Sequence, residues 1–171
     1  MRAIAAREGR KEQILDSAVA VFAEKGYYKA TTAQVAEAAG VTQPYIFHFF
    51  HNKADLFNAV VDRAFQRIYE SFRTVEAPPD RLFQTMGDAF FRIMNTNRAE
   101  TILVMQAPAI SEPVIREHVR EKFQLIHKLV LTKFTQAGLP NAAEAASRFI
   151  GTGLLITVSE VLNLPQLRCL D

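Results

Sequence analysis

The chain has 171 residues and 19.2 kDa, with 49% hydrophobic and 22% charged residues and a net charge of +2; that excludes a large multidomain enzyme and a disordered chain. Its one cysteine, Cys169, can build neither an internal disulfide nor a cysteine metal site, so a reducing compartment is expected, with no metal and no cofactor. No stretch approaches the roughly 18 consecutive apolar residues that span a bilayer, and the N-terminus lacks the apolar core of a signal peptide; the reading is a soluble cytoplasmic protein with no membrane partner.

Residues 1–75 carry ten Lys/Arg against eight Asp/Glu, whereas residues 76–171 carry ten of each. Arg2, Arg7, Arg10 and Lys11 face only Glu8 at the start of the chain. Such a basic arm suits contact with a polyanion; a solvated, frayed terminus is the alternative. Helical periodicity runs almost throughout, without sustained alternation. The first helix spans about residues 10–25, with Ile14, Leu15, Ala18, Val21 and Phe22 on one side and Gly26 as its stop. Thr31 with Gln34 forms a capping-box pattern for a short helix that Gly40 ends. Thr42 caps the next, with Pro44 in its first turn, and Asn52 with Asp55 caps a long helix to about Arg73.

Ala77-Pro78-Pro79-Asp80 breaks the chain. A fifth helix spans about residues 81–94, and Asn95-Thr96-Asn97 separates it from a sixth. After Ser111-Glu112-Pro113 a long helix runs over about 114–137, and Asn141 with Glu144 forms a second capping-box pattern for the last one. Pro78, Pro108, Pro113, Pro140 and Pro165 all fall at inferred helix ends. The fold class is all-α: an N-terminal helix-turn-helix unit over residues 1–52, and a helical ligand-binding and dimerisation domain over 53–171, whose first helix (53–74) connects the two.

The two short helices around Gly40 carry the functional information. A helix-turn-helix needs a small residue where the helices cross, a permissive residue in the turn, and apolar residues that lock the pair. Ala36, Gly40 and the set Val35, Ala39, Val41, Ile46 and Phe49 meet these needs. The whole run over residues 10–60, with its Ala23-Glu24-Lys25-Gly26-Tyr27 turn, Val35-to-Val41 core and Asn52-Lys53 pair, resembles the tetracycline-repressor (TetR) family of bacterial transcriptional regulators. The resemblance implies that double-stranded DNA is bound through Thr31, Thr42, Gln43, Pro44, Tyr45, His48 and Lys53. Gln43 would read a base edge, Tyr45 would reach a thymine methyl or a phosphate, and Thr31 and Lys53 would hold phosphates. A Tyr-x-His-Phe run is usual in the family; here it reads Phe47-His48-Phe49-Phe50. Two phosphate donors are thereby lost, with His48, His51 or the basic arm to compensate. Phe47, Phe49, Phe50 and Phe57 are read as core. Of Tyr27 and Tyr28, one is expected to be packed and the other near DNA. His48, His51 and Asp55 do not make a metal site, because the Asn52 cap breaks the helix between them.

In the second domain, Phe65 and Tyr69 on the fourth helix, Phe83, Met86, Phe90 and Met94 on the fifth, Met105 on the sixth, and Phe123 and His127 on the long helix are expected to line a pocket for a small apolar or aromatic effector. Gly87 interrupts the fifth helix. For each residue alone, packing in a bundle core is the competing reading. The last two helices are apolar on two faces, so Val119, Ile126, Val130, Phe149, Gly153, Leu154 and Val158 are assigned to a subunit interface. The family resemblance implies a homodimer that reads a palindrome. The function expected is that of a ligand-responsive regulator, most simply a repressor. A small helical enzyme using His118 or His127 as base and a dimeric scaffold are the rivals; no nucleophile–His–carboxylate set and no phosphate loop supports catalysis.

Overall fold

The computed structural model describes residues 2–168, with side chains over 6–167; Cys169 lies outside the described residues. Helix α1 (Arg2–Lys29) begins earlier and ends later than the sequence pattern predicts. The basic arm is part of this helix. Gly26 does interrupt it, at φ 71° and ψ 164°, but the chain turns helical again up to Lys29. That left-handed conformation favours a residue without Cβ.

Helix α2 (Thr32–Ala38) starts with the predicted capping box: the Gln34 amide donates to Thr31 Oγ1, and the Thr31 amide donates to Gln34 Oε1. Helix α3 (Gln43–Ile46) has Thr42 at its N-cap and Pro44 in its first turn, but no capping bond from the Thr42 side chain. Helix α4 (Lys53–Arg73) is capped by Asn52, whose Oδ1 accepts from the Asp55 amide, while Asp55 Oδ2 accepts from the His51 amide. Helices α5 (Pro79–Thr96), α6 (Arg98–Gln106), α7 (Pro113–Gln136) and α8 (Ala142–Leu162) follow, with a 3-10 turn over Ala107–Ala109.

Asn141 does not make the capping box that its spacing to Glu144 suggests. It sits in the left-handed region at φ 51°, with no side-chain cap bond. Asn tolerates that conformation better than most residues, and here it serves the turn after Gly138 and Pro140 rather than the helix start.

Helix α4 is the spine. Its buried face, from Leu56 and Phe57 through Val60, Val61 and Ala64 to Phe65, Ile68 and Phe72, packs against α1 near its start and α5, α6 and α7 further on. Near the start, Phe22 meets Phe57 edge-on at 5.0 Å and Tyr27 meets Phe57 at 5.2 Å. At the far end, Phe72, Phe83, Phe134 and Phe149 form a second aromatic cluster at 5.2–5.9 Å. Both belong to one continuous set of buried side chains.

Four residues assigned from sequence to a subunit interface, Val119, Ile126, Val130 and Phe149, are buried inside their own chain. On α7 two apolar stripes were available, and the stripe facing α4 won. Val158 of α8, also assigned to that interface, lies outward at 38% exposed, as do Leu125 at 47% and Val161 and Leu162 at 51% and 57%. Helix α8 is long and apolar enough, by length and composition, to cross a bilayer; here it packs on α7 and carries Phe149 into the core.

Phe22 is fully buried, so Phe22→Ala removes both its transfer energy and its edge contacts. A loss of about 3–5 kcal/mol is expected from urea unfolding of this variant.

Candidate nucleic-acid interface and effector cavity

The α2–α3 pair is locked by its own backbone. Gly40, at φ 64°, allows the Val41 amide to reach back to Ala36 O at 3.0 Å, and Gln13 of α1 donates to Ala39 O at 3.3 Å. Val35, Ala36, Ala39 and Ile46 close the inner side. Thr42, Gln43, Pro44, Tyr45, Phe47 and His48 are left exposed together along α3 and its ends. A row of exposed side chains on a short helix held at its base is what a groove-reading element requires.

Phe47 is 45% exposed, not core. The side of this short helix that faces α1 is filled by Ile46 and Phe50, both buried, which leaves the intervening ring outside. Phe50 and Phe57 are core as expected, and Phe49 is half-buried. Tyr45 sits edge-on to His48 at 5.8 Å and to Phe49 at 5.5 Å, which restricts its swing.

Two of the DNA contacts inferred from sequence have intramolecular work. Gln43 Nε2 donates to Thr32 Oγ1 at 2.8 Å, fixing the side chain across the α2–α3 corner. Lys53 Nζ lies 3.0, 3.4 and 3.2 Å from the carbonyl oxygens of Tyr27, Tyr28 and Ala30, and 4.4 Å from the Tyr27 ring centroid. A cation at the end of α1 is favoured by the unpaired carbonyls there. Lys53 is therefore first a clasp on that helix end. The basic arm lies alongside: Arg7 stands 5.6 Å from the Phe49 ring and Lys11 5.7 Å from the Phe50 ring. Of the tyrosine pair, Tyr27 is packed. Tyr28 is exposed, but its hydroxyl is bound to Ser111, with Oγ at 2.5 Å and the amide at 2.9 Å.

Helices α4 to α8 line a cavity of about 880 Å³ that is partly open to solvent. Phe65, Phe83, Phe90, Met105 and Phe123 line it as the pattern suggested. Met86 and Met94 do not: both are fully buried in the packing behind α5. Tyr69 faces a small recess with Asp62, Gln66 and Lys122 instead. His127 is half-buried outside the lining, and His118 is bound to Asp62 at 2.8 Å. Neither histidine lines the cavity.

Ile126, Phe149, Gly153 and Leu154, assigned from sequence to a dimer interface, line the cavity. A Cβ on Gly153 would stand 3.7 Å from Phe90, so this glycine leaves room without being forced by a clash. Gly87 also lines the wall, with nothing within 4 Å of where its Cβ would be. The polar lining is sparse: Gln84, Asp88, Thr101, Thr152, Thr157 and Arg148, the last 5.4 Å from the Phe83 ring.

Residues 14–60 match the family model of bacterial regulatory proteins, tetR family. That match covers the helix-turn-helix head and the start of α4. The chain is 28% identical over 118 residues to the HTH-type transcriptional activator FasR of Mycolicibacterium smegmatis (strain ATCC 700084 / mc(2)155), covering 67% of this chain and 53% of the relative. It spans about half the length of the first curated relatives it matches. In fold, it is similar to the transcriptional regulator FadR from Bacillus subtilis in complex with stearoyl-CoA, with 23% identity, a TM-score of 0.72, and coverage of 89% of this chain and 87% of that one. It is likewise similar to AibR in complex with isovaleryl coenzyme A and operator DNA, at 18% identity, a TM-score of 0.70, and coverage of 87% and 86%.

Sequence reasoning missed one cluster that joins the helix-turn-helix head to the cavity wall. Glu100 of α6 is 5% exposed and accepts from Arg63 Nη2 and Arg67 Nη1, each at 2.6 Å. Arg63 Nη1 also lies 2.9 Å from both Glu12 and Asp16 of α1. Burial alone would lower the Arg63 pKa, but the bond to Glu12 and the charges of Glu100 and Asp16 outweigh it and hold the pKa raised. No local signal could have shown this cluster, since its members come from three helices.

Lys53→Met removes the clasp on the end of α1 while keeping an unbranched apolar stem close to the length of the lysine methylenes. It should lower stability by about 1–2 kcal/mol in a denaturant titration, as expected for hydrogen bonds from a charged group.

Proposed function

We propose that this protein is a ligand-responsive transcriptional regulator that binds a palindromic DNA operator as a homodimer and is released by an amphiphilic effector with an apolar chain. One observation carries the reading: the helix that follows the groove-reading element, α4, is also a wall of the cavity, through Phe65, Ile68 and Phe72. Filling that cavity acts on the helix that positions α3. Operator binding by two heads at once is sensitive to small changes in their separation, because both must enter successive major grooves. A coupling of about 1–3 kcal/mol would suffice for a switch.

The effector class follows from the lining. A large, Phe-rich space with few polar groups rewards a chain of methylenes at about 0.8 kcal/mol each, and Arg148 with Gln84 gives a polar end. The complexes of FadR with stearoyl-CoA and of AibR with isovaleryl coenzyme A and operator DNA support an acyl thioester. The dimer face is the exposed stripe of Leu125, Val158, Val161 and Leu162, with α7 and α8 of each chain forming a four-helix bundle. Residues 1–52 serve as the DNA-binding head and 53–171 as the effector and dimer domain, with the cytoplasm as the setting.

Within the head, Gln43, Tyr45 and His48 read and position DNA, and Phe47 joins them. Its exposed ring lacks a hydroxyl for a phosphate but suits a thymine methyl. Thr31 and Lys53 lie at the phosphate margin.

Selection of duplexes from a random pool by the wild-type protein tests the assignment: a two-fold symmetric sequence should be enriched, with affinity falling steeply as salt rises. Equal recovery of scrambled duplexes, or a flat salt profile, refutes it. On the selected duplex, Gln43→Ala should relax sequence preference, while Lys53→Ala should weaken all sequences alike. Palmitoyl-CoA should displace the protein from that duplex, and insensitivity to acyl thioesters of every chain length would remove the effector class.

A further inference from the structure

We infer that Glu100 is the positioning residue that transmits occupancy of the cavity to the head, with Tyr28–Ser111 as a second tie at the other end of α6. The inference rests on the reading of the cavity as an effector site and says how that site is connected.

Helix α6 is short and stands between the two regions. Thr101, Val104 and Met105 give it a face on the cavity. The preceding residue, Glu100, points the other way, into the cluster formed with Arg63 and Arg67. Arg63 is shared: one nitrogen binds Glu100 and the other binds Glu12 and Asp16 of α1. The guanidinium therefore joins the cavity wall, the spine and the head in one set of bonds. Beyond the C-terminal end of α6, past the 3-10 turn, Ser111 holds the Tyr28 hydroxyl at the end of α1. At the N-terminal end, Arg98 donates to the Glu160 carbonyl of α8 at 3.1 Å. A displacement of α6 cannot leave the head untouched.

The chemistry of this tie suits a switch better than a strut. Burying a carboxylate is costly, and paired charges in such places contribute little net stability compared with apolar residues of similar size. What a bidentate acceptor between two guanidinium groups does supply is direction: the bonds hold in one geometry and break outside it. Apolar contacts would slide and repack. A connection with two discrete arrangements is what transmission between sites requires.

The test needs a perturbation of the cavity that does not depend on knowing the effector. Gly153→Leu adds a side chain to the lining where a Cβ meets only ordinary contact with Phe90. Amide hydrogen exchange of residues 10–52 is then measured in four full-length proteins: wild type, Gly153→Leu, Glu100→Gln and the double variant. With Glu100 present, filling the cavity should change exchange in the head by about fivefold or more; with Glu100→Gln the same filling should change it by less than about twofold. Protection in α7, compared across the four, confirms that the helical domain is folded. Should Glu100→Gln unfold the protein, Ser111→Ala, at an exposed position, carries the same comparison and should reduce the response at residues 26–30. An equal response with and without Glu100, or no response in the head when the cavity is filled, overturns the inference. The selected duplex, titrated against the same proteins, separates this from the functional reading. Absence of any sequence preference sinks the regulator assignment, while the exchange result decides the tie by itself.

Discussion

The apolar face of α4 runs unbroken from Leu56 to Phe72, and the rest of the structure is built on it. Phe57 completes the packing under Phe22 and Tyr27, while Phe65 meets Phe123 and Phe72 meets Phe149 further along the same helix. A single rigid element therefore belongs to the head at one end and to the cavity at the other. Helices resist bending over this length unless a proline or a similar fault interrupts the hydrogen-bond ladder, and α4 contains neither proline nor glycine. Movement at Phe72 must reappear as tilt near Lys53.

Local chemistry was the legible part of the sequence. The Thr31–Gln34 box, the Asn52 cap and the permissive turn at Gly40 each depend on residues three or four apart, and each stands where the spacing put it. Asn141 failed although its spacing to Glu144 was equally good, because the same residue type also suits a left-handed turn and that demand was stronger. The orientation of α7 was not legible for a different reason. Its two stripes are comparably apolar, and periodicity reports that a face is apolar, not which neighbour covers it. Val119, Ile126 and Val130 went inward, and Leu125 went out.

The least legible feature was the charged cluster. Glu100 meets partners 37 and 33 residues away, and Arg63 meets Glu12 at 51. In the sequence these are ordinary charged residues on amphipathic helices, each with a solvated face as its natural reading. Only the crossing of three helices brings them together, with Glu100 buried at the centre and Glu12 and Asp16 at an exposed rim. Phe47 presents the converse case: an apolar residue in an aromatic run, whose place just after a four-residue helix leaves it outside because Ile46 and Phe50 have taken the inner side.

The cavity itself sets a limit on how the protein can rest. If about 880 Å³ were a sealed, dry void, the cavity cost of roughly 24 cal/mol per Å³ would come to about 20 kcal/mol, more than the net stability of a typical domain, about 5–15 kcal/mol. The space cannot be a sealed void. Gln84, Asp88 and Arg148 are all exposed at its wall, so water has an entrance and the void need not stand empty. Solvent wetting a wall of Phe65, Phe83, Phe90 and Phe123 remains unfavourable relative to an apolar occupant. That difference is the free energy available to an occupant, and any part of it spent on displacing α6 or α4 is part not shown as affinity. A cavity of this size beside a continuous helix and a directional charged tie is what the proposed coupling requires: an occupant would stabilise whichever arrangement of the head goes with a filled cavity.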